Sequence, residues 1–137
     1  MRISLDTYYM NIANIAKVRS SCLSRQVGCV ITNHRNRVVS IGYNGPPSGI
    51  PHCASCLRKS CSTGEALDIC PAVHAEMSAL IECDPHSIKT VYCTTAPCLS
   101  CTKLLLNTSC EEIVYAEDYP YNSADLWKKT GRIWRQI

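Results

Sequence analysis

Two short stretches of this 137-residue chain carry side chains suited to metal-assisted chemistry: His74-Ala75-Glu76 and Pro97-Cys98-Leu99-Ser100-Cys101. Cys98 and Cys101 stand three positions apart, one face of one helical turn, so both sulfurs can reach a single ion. A histidine and a glutamate two apart do not share a helical face. They can serve one site only where a helix opens. Pro71 and Pro97 are each good first residues for a helix, so two helix N-termini are expected to converge on the ion. Their positive ends favour thiolate and hydroxide. One imidazole and two thiolates leave a fourth tetrahedral position for water, which is the layout of a catalytic rather than a structural zinc. Glu76 is then close enough to take a proton from that water without being a ligand. Taken alone, the Cys-x-x-Cys pair reads equally as structural zinc or a redox pair, and a lone His as a packed or surface residue. The combination with Glu76 and two helix openings favours catalysis.

The elements that must position these residues can be read from periodicity. Apolar positions Leu5, Tyr8, Ile12, Ile15 and Ala16 follow helical spacing from Ser4 to Arg19, with Ser4 as N-cap. Gln26–Thr32 and Arg37–Tyr43 read as strands joined by the polar turn Asn33–Asn36. A Gly/Pro-rich loop, Asn44–Pro51, runs into a cysteine-dense irregular stretch ending near Cys70. A helix is expected from Pro71 to about Glu82, a strand over Ile88–Thr94, and a helix from Pro97 to about Asn107. A short strand over Ile113–Ala116, a helix over Ser123–Lys129 and a last strand over Arg132–Ile137 complete the pattern. It predicts an α/β fold, with helices on both faces of a mixed sheet of about five strands.

Composition bounds the function. A chain of this length, 46% hydrophobic and 18% charged, forms one domain over residues 1–137 and is not disordered. No apolar run approaches the ~18 residues of a membrane span. The opening residues carry Asp6 and no long apolar core, so a cytoplasmic protein with no membrane partner is expected. A net charge of +3 gives no broad nucleic-acid footprint. Residues 1–45 nevertheless hold six Lys or Arg against Asp6 alone, a balance better suited to a small phosphate than to a long polyanion. The 11 cysteines, an odd number, read as metal ligands and core residues rather than disulfides.

The spacing His-x-Glu…Pro-Cys-x-x-Cys is a known signature of zinc nucleobase deaminases. Around it, Gln26-Val27-Gly28-Cys29-Val30-Ile31, Gly42-Tyr43-Asn44-Gly45-Pro46-Pro47-Ser48-Gly49 and Val114-Tyr115-Ala116-Glu117-Asp118-Tyr119 extend the likeness over nearly the whole chain. The chain resembles the deoxycytidylate (dCMP) deaminases of the cytidine deaminase superfamily, in particular their bacterial and phage members. The resemblance implies a three-layer αβα fold with a mixed five-stranded sheet. It also implies hydrolysis of dCMP to dUMP and ammonia, and dUMP supply for dTMP synthesis in the cytoplasm (the host's, for a phage protein). A hexamer activated by dCTP and inhibited by dTTP, bound with Mg2+, is implied as well. By residue, His74, Cys98 and Cys101 would hold catalytic Zn2+, and Glu76 would carry protons from water to ring N3 and to the departing ammonia. Asn44, Ala75 and Tyr119 would bind the nucleotide, and Tyr43, Gly45 and Gly49 would border the effector. Ser78, where many relatives have asparagine, and the short Cys83-Asp84-Pro85-His86 stretch depart from the family pattern.

A preference for a monophosphate needs cations or open backbone amides. Arg25 near the first strand is the candidate for the 5′-phosphate, with a solvated surface charge as the alternative. Asn44 also reads as a turn residue and Tyr119 as a surface loop aromatic. The resemblance further implies a second, structural zinc on Cys22, Cys53, Cys56 and Cys70. Such a clip would account for an irregular stretch in a compact domain, with free cysteines packed as small hydrophobes as the alternative. Cys29, Cys83, Cys93 and Cys110 sit in apolar segments and are expected in the core. Two other functions compete. One is a zinc deaminase of another nucleoside or base, including tRNA adenosine; the other is a zinc-stabilised binding module, which would have no use for Glu76.

Overall fold

Period-two alternation in the strands divides the apolar residues into two sets, and helices cover both. The computed structural model describes residues 1–62, 69–120 and 123–137. Strands β1 (Gly28–Thr32), β2 (Val38–Tyr43), β3 (Thr90–Thr95), β4 (Glu112–Glu117) and β5 (Ile133–Gln136) form one sheet in the order β2-β1-β3-β4-β5. β1 is antiparallel to β2 and β3, whereas β3–β4 and β4–β5 are parallel. Helices α1 (Leu5–Lys17), α2 (Ala75–Leu80), α3 (Leu99–Leu106) and α4 (Ala124–Lys128) flank it. Val30, Tyr92 and Val114 meet Tyr9, Met10 and Ala13 of α1 on one face. Cys29, Ile31, Cys93 and Ile113 meet Ala75, Ala79, Leu105 and Trp127 of the other three helices on the opposite face. This is the expected three-layer αβα arrangement with a mixed five-stranded sheet. No described helix is long and apolar enough to cross a membrane.

Two glycines set how closely the layers approach. A Cβ on Gly28 would lie 1.9 Å from the Ala13 carbonyl oxygen of α1. One on Gly42 would lie 2.3 Å from the Ala75 carbonyl oxygen and 2.6 Å from the Ala79 nitrogen of α2. Backbone therefore packs on backbone at both crossings. The Ser40 hydroxyl adds a 2.6 Å hydrogen bond to the Ala79 carbonyl, so β2 grips α2 at two successive inward positions.

The structure moves several expected boundaries. The first helix keeps its Ser4 cap, whose hydroxyl accepts from the Thr7 N–H at 3.1 Å, but its inner face is different. Tyr9, Met10, Ala13 and Ala16 are buried, while Leu5, Tyr8 and Ile15 are exposed. The Gly28 contact lies against the backbone of Ala13, which puts the Ala13 face of the helix on the sheet and leaves Leu5, Tyr8 and Ile15 outside. The second helix starts at Ala75, four residues after Pro71, because Val73 first forms a β-bridge with Gly45. Its N–H donates to the Gly45 carbonyl at 2.7 Å, and the Gly45 N–H returns a bond at 3.2 Å. The third helix starts at Leu99 with Cys98 as its N-cap rather than at Pro97.

Candidate active site

Those two delayed starts place the ligands. His74 and Cys98 are the N-caps of α2 and α3, with extended backbone angles, and neither side chain bonds its own helix. At this position Ser, Thr, Asp or Asn would normally turn inward to cap the helix. Here both side chains are left to face each other. Cys101, one turn into α3, completes the set. The His74 Nδ1 lies 3.2 Å from the Cys101 Sγ and 3.4 Å from the Cys98 Sγ. All three ligand atoms fall within 4.8 Å of one another, and they form the one such group among the described residues. Zinc–nitrogen and zinc–sulfur bonds of ~2.0 and ~2.3 Å set tetrahedral N···S edges of about 3.5 Å. The three residues fit that ion.

The same geometry explains the protonation of the group. Hydrogen bonds from Cys101 and then His74 bring the Cys98 thiol down to about 4, so it is a thiolate at neutral pH. Cys101, which supplies the proton, is raised correspondingly, and the bond to Cys98 also raises His74. Metal binding must therefore displace the proton of Cys101. Glu76 is buried next to them, hydrogen-bonded to Cys101, and burial raises its carboxyl above the ordinary carboxylate range.

The site forms the floor of a cavity of about 180 Å³. It opens where β3 and β4 end, the place where parallel strands leave room for ligands. His74, Ala75, Glu76, Cys98, Asn44, Tyr119 and Arg25 all line it, so every residue expected at the substrate shares one cavity with the chemistry. Asn44 has a second occupation. Its Oδ1 accepts from the Val27 N–H at 2.9 Å and its Nδ2 donates to the Arg25 carbonyl at 2.8 Å. The turn-residue and ligand-lining readings thus describe the same side chain. The Arg25 guanidinium lies over the Tyr119 ring, 5.2 Å from its centre. Arg58 lines the cavity too and was missed by sequence reasoning. A second cation following Cys56-Leu57 was the available signal, but it was read as part of a cysteine loop.

The other expected sites are not assembled in this way. Cys22, Cys53, Cys56 and Cys70 line one smaller cavity of about 30 Å³, yet no three of them come within ligand reach of one another. The expected four-thiolate cluster is therefore open. Among the described residues of the chain between them, the backbone bonds Ile50 to Pro47, Lys59 to Cys56 and Cys61 to Arg58 are local turns. Tyr43, Gly45 and Gly49 are not gathered in either of these two cavities. Gly45 lines the smaller one, Tyr43 points to the α1 side beneath Arg19, and Gly49 sits in an outward turn at φ 86°. Strand alternation forces the Tyr43 placement once Gly42 faces α2. Cys29, Cys93 and Cys110 are buried in the core and Cys83 packs against it, as expected.

A three-layer αβα sheet with a histidine and two cysteines at paired helix openings defines a class, the zinc-binding proteins of cytidine deaminase-like fold. The chain belongs to the cytidine and deoxycytidylate deaminase family, whose zinc-binding region matches residues 3–117. It is 39% identical to the deoxycytidylate deaminase of Saccharomyces cerevisiae over 124 residues, 87% of this chain but 39% of the yeast protein. The chain thus spans well under half the length of that relative. It is 35% identical over 122 residues to the deoxycytidylate deaminase of Mycobacterium phage D29, covering 82% of this chain and 94% of the phage protein. The crystal structure of dCMP deaminase from cyanophage S-TIM5 in complex with dCMP and dUMP superposes with a TM-score of 0.80 at 23% identity, over 100% of this chain and 99% of that one.

Proposed function

We propose that the protein hydrolyses dCMP to dUMP and ammonia, with residues 1–137 acting as one deaminase domain. The observation that carries this is the buried Glu76 beside the His74, Cys98 and Cys101 cluster, in a cavity that two arginines also line. The fold alone leaves the substrate open. The likeness to named deoxycytidylate deaminases at 35–39% identity supports the cytosine nucleotide.

Zinc held by His74, Cys98 and Cys101 supplies Lewis acidity that lets water act as a nucleophile near neutral pH. Glu76 does the proton work. Its carboxylate takes a proton from the water that adds to C4 and passes it to ring N3, then assists a second transfer to the C4 amine as the carbon–nitrogen bond breaks. One water is consumed, and one ammonia leaves. Burial favours this role, because a carboxyl lifted above its ordinary range is a stronger base toward the proton of the water. Asn44 and Ala75 hold the sugar and base, Tyr119 stacks on the base, and Arg25 takes the 5′-phosphate.

The reading extends to a second, structural zinc on Cys22, Cys53, Cys56 and Cys70, supported by the small cavity these four share. It extends also to a cytoplasmic homo-oligomer, a hexamer, activated by dCTP and inhibited by dTTP with Mg2+. What supports the control is the bridge between Gly45 and Val73, which joins the loop directly to the residue before His74. Ammonia release from dCMP, CMP, deoxycytidine and dAMP, measured side by side on zinc-loaded protein, tests the substrate. Turnover highest on dCMP supports the assignment, and turnover of dAMP above dCMP would overturn it.

A further inference from the structure

α3 carries both thiolates of the metal site, Cys98 as its N-cap and Cys101 one turn in, and the Cys98 side chain makes no bond to the helix it caps. A short helix seated on a sheet keeps two soft motions, sliding along its axis and rolling about it. With a helix diameter of about 10–12 Å, a roll of about 10° carries a side-chain tip by roughly 1 Å. Zinc–ligand distances tolerate about 0.2 Å. Preformed ligands therefore need both motions stopped.

The far end of α3 stops the slide. The last carbonyls of a helix have no partners within it. Here the Arg132 Nη2 donates to the Leu106 carbonyl at 3.0 Å, and its Nη1 donates to the Leu105 carbonyl at 3.4 Å. The guanidinium lies over the Trp127 ring, 5.1 Å from its centre. That ring is fully buried, and its Nε1 donates to the Ile133 carbonyl at 2.8 Å, so the cation sits on a fixed plate. Its charge also suits the negative end of the helix. The roll is stopped at Thr102, fully buried and next to Cys101, whose Oγ1 accepts from the Ser123 hydroxyl. Ser123 is itself the N-cap of α4, where a serine normally bonds its own helix, and it makes no such bond. It serves α3 instead.

We propose that Arg132 and Ser123 are positioning residues for the zinc thiolates: Arg132 fixes the height of α3 through its last carbonyls, Ser123 fixes its rotation through Thr102, and together they set Cys98 and Cys101 around the ion. This rests on the zinc reading above and deepens it. The segment from Ser123 to Arg132 touches no ligand atom, yet it holds two of the three ligands in place.

Zinc affinity by chelator competition and the visible spectrum of the cobalt(II)-substituted protein read ligand placement without any turnover. Arg132→Ala should raise the zinc dissociation constant about tenfold or more and displace the thiolate-to-cobalt charge-transfer bands. On dCMP, kcat should fall about 10- to 100-fold with little change in KM, because α3 carries thiolates and none of the residues assigned to the nucleotide. Arg132→Lys should recover only part of the affinity, since an ammonium keeps the charge without the two-pronged fit to adjacent carbonyls. Ser123→Ala should displace the cobalt bands as well, and with Arg132→Lys it decides should Arg132→Ala fail to fold. Asp6→Asn, which loosens the opposite face of the sheet, is the control and should lower the melting temperature with the cobalt bands unmoved. Arg132 and Ser123 variants that melt earlier but keep wild-type zinc affinity and cobalt bands overturn the positioning role, as do bands that move equally in Asp6→Asn. Wild-type protein that takes up neither metal overturns the zinc reading itself, whereas wild type that binds zinc without turning over dCMP overturns only the substrate assignment.

Discussion

Replacing Gly42 by alanine adds one methyl group at the crossing of β2 and α2, and the structure says what that group meets. The new carbon would sit 2.3 Å from the Ala75 carbonyl oxygen and 2.6 Å from the Ala79 nitrogen, both backbone atoms with no side-chain rotation to yield. Restoring ordinary contact at about 3.4 Å requires α2 to retreat by roughly 1 Å. Overpacking of this kind costs about 1–3 kcal/mol. The larger effect is on function, because α2 carries His74 at its cap and Glu76 in its first turn. A displacement of about 1 Å in catalytic geometry costs on the order of 100-fold in rate. Gly42→Ala should therefore unfold at lower temperature, retain folded secondary structure, and lose about two orders of magnitude in kcat on dCMP, with weakened zinc retention. Thermal melts, circular dichroism, metal analysis and single-turnover kinetics read these separately. A variant with wild-type kcat and zinc content would show that the placement of α2 is not what aligns the site.

Glu76→Gln should keep its zinc and lose at least 100- to 10,000-fold in turnover, whereas Cys98→Ala should lose the metal itself, so zinc content per chain separates the two failures. Fresh protein should carry two zinc ions per chain, and Cys53→Ser combined with Cys70→Ser should release one and lower the melting temperature; a constant one ion in the wild type would return those cysteines to packing. On the other face of the sheet, Arg135 pairs with Asp6 at 2.7 Å and the Tyr92 hydroxyl donates to Asp6 at 2.8 Å; chiefly through Arg135, the Asp6 carboxyl is held below its ordinary 3.8. Its contribution, about 1 kcal/mol for so exposed a pair, is present above the unfolded-state value and is lost as pH falls through the lower folded value. Asp6→Asn should therefore be less stable than wild type at pH 7 and converge with it in acid below pH 3.8; denaturant midpoints that differ equally at both ends would rule this out.

How much of this was legible in the sequence depends on whether a feature is local. The His74 and Glu76 pair and the Cys98 and Cys101 pair are local, since each lies within one turn, and the structure brings three of them to one point. Strand and helix types were legible for the same reason, as β-branched runs such as Thr90–Thr95 carry their own signal. The buried face of α1 was not. Leu5, Tyr8 and Ile15 satisfy helical spacing as well as Tyr9, Met10 and Ala13 do, and only the Gly28 approach from another element chooses between them. The start of α2 failed similarly: Pro71 is a sound local opening, but a long-range bridge from Gly45 holds Val73 extended.

That bridge shows why the site depends on segments that carry no chemistry. An N-cap residue needs extended backbone ahead of a helix, and at His74 the extension is enforced by two hydrogen bonds between Val73 and Gly45. Without them the helix could continue back toward Pro71, and His74 would take a helical conformation two residues from Glu76, on a different face. Just past the end of β2, Asn44 spends its amide on Val27 and Arg25 at once, so it fixes the rim of the cavity while lining it. The stretch Gly42 to Gly45 therefore seats α2, pins Arg25 and delays the helix until His74. Its value lies in contacts to three other segments, and residue types read in isolation record none of them.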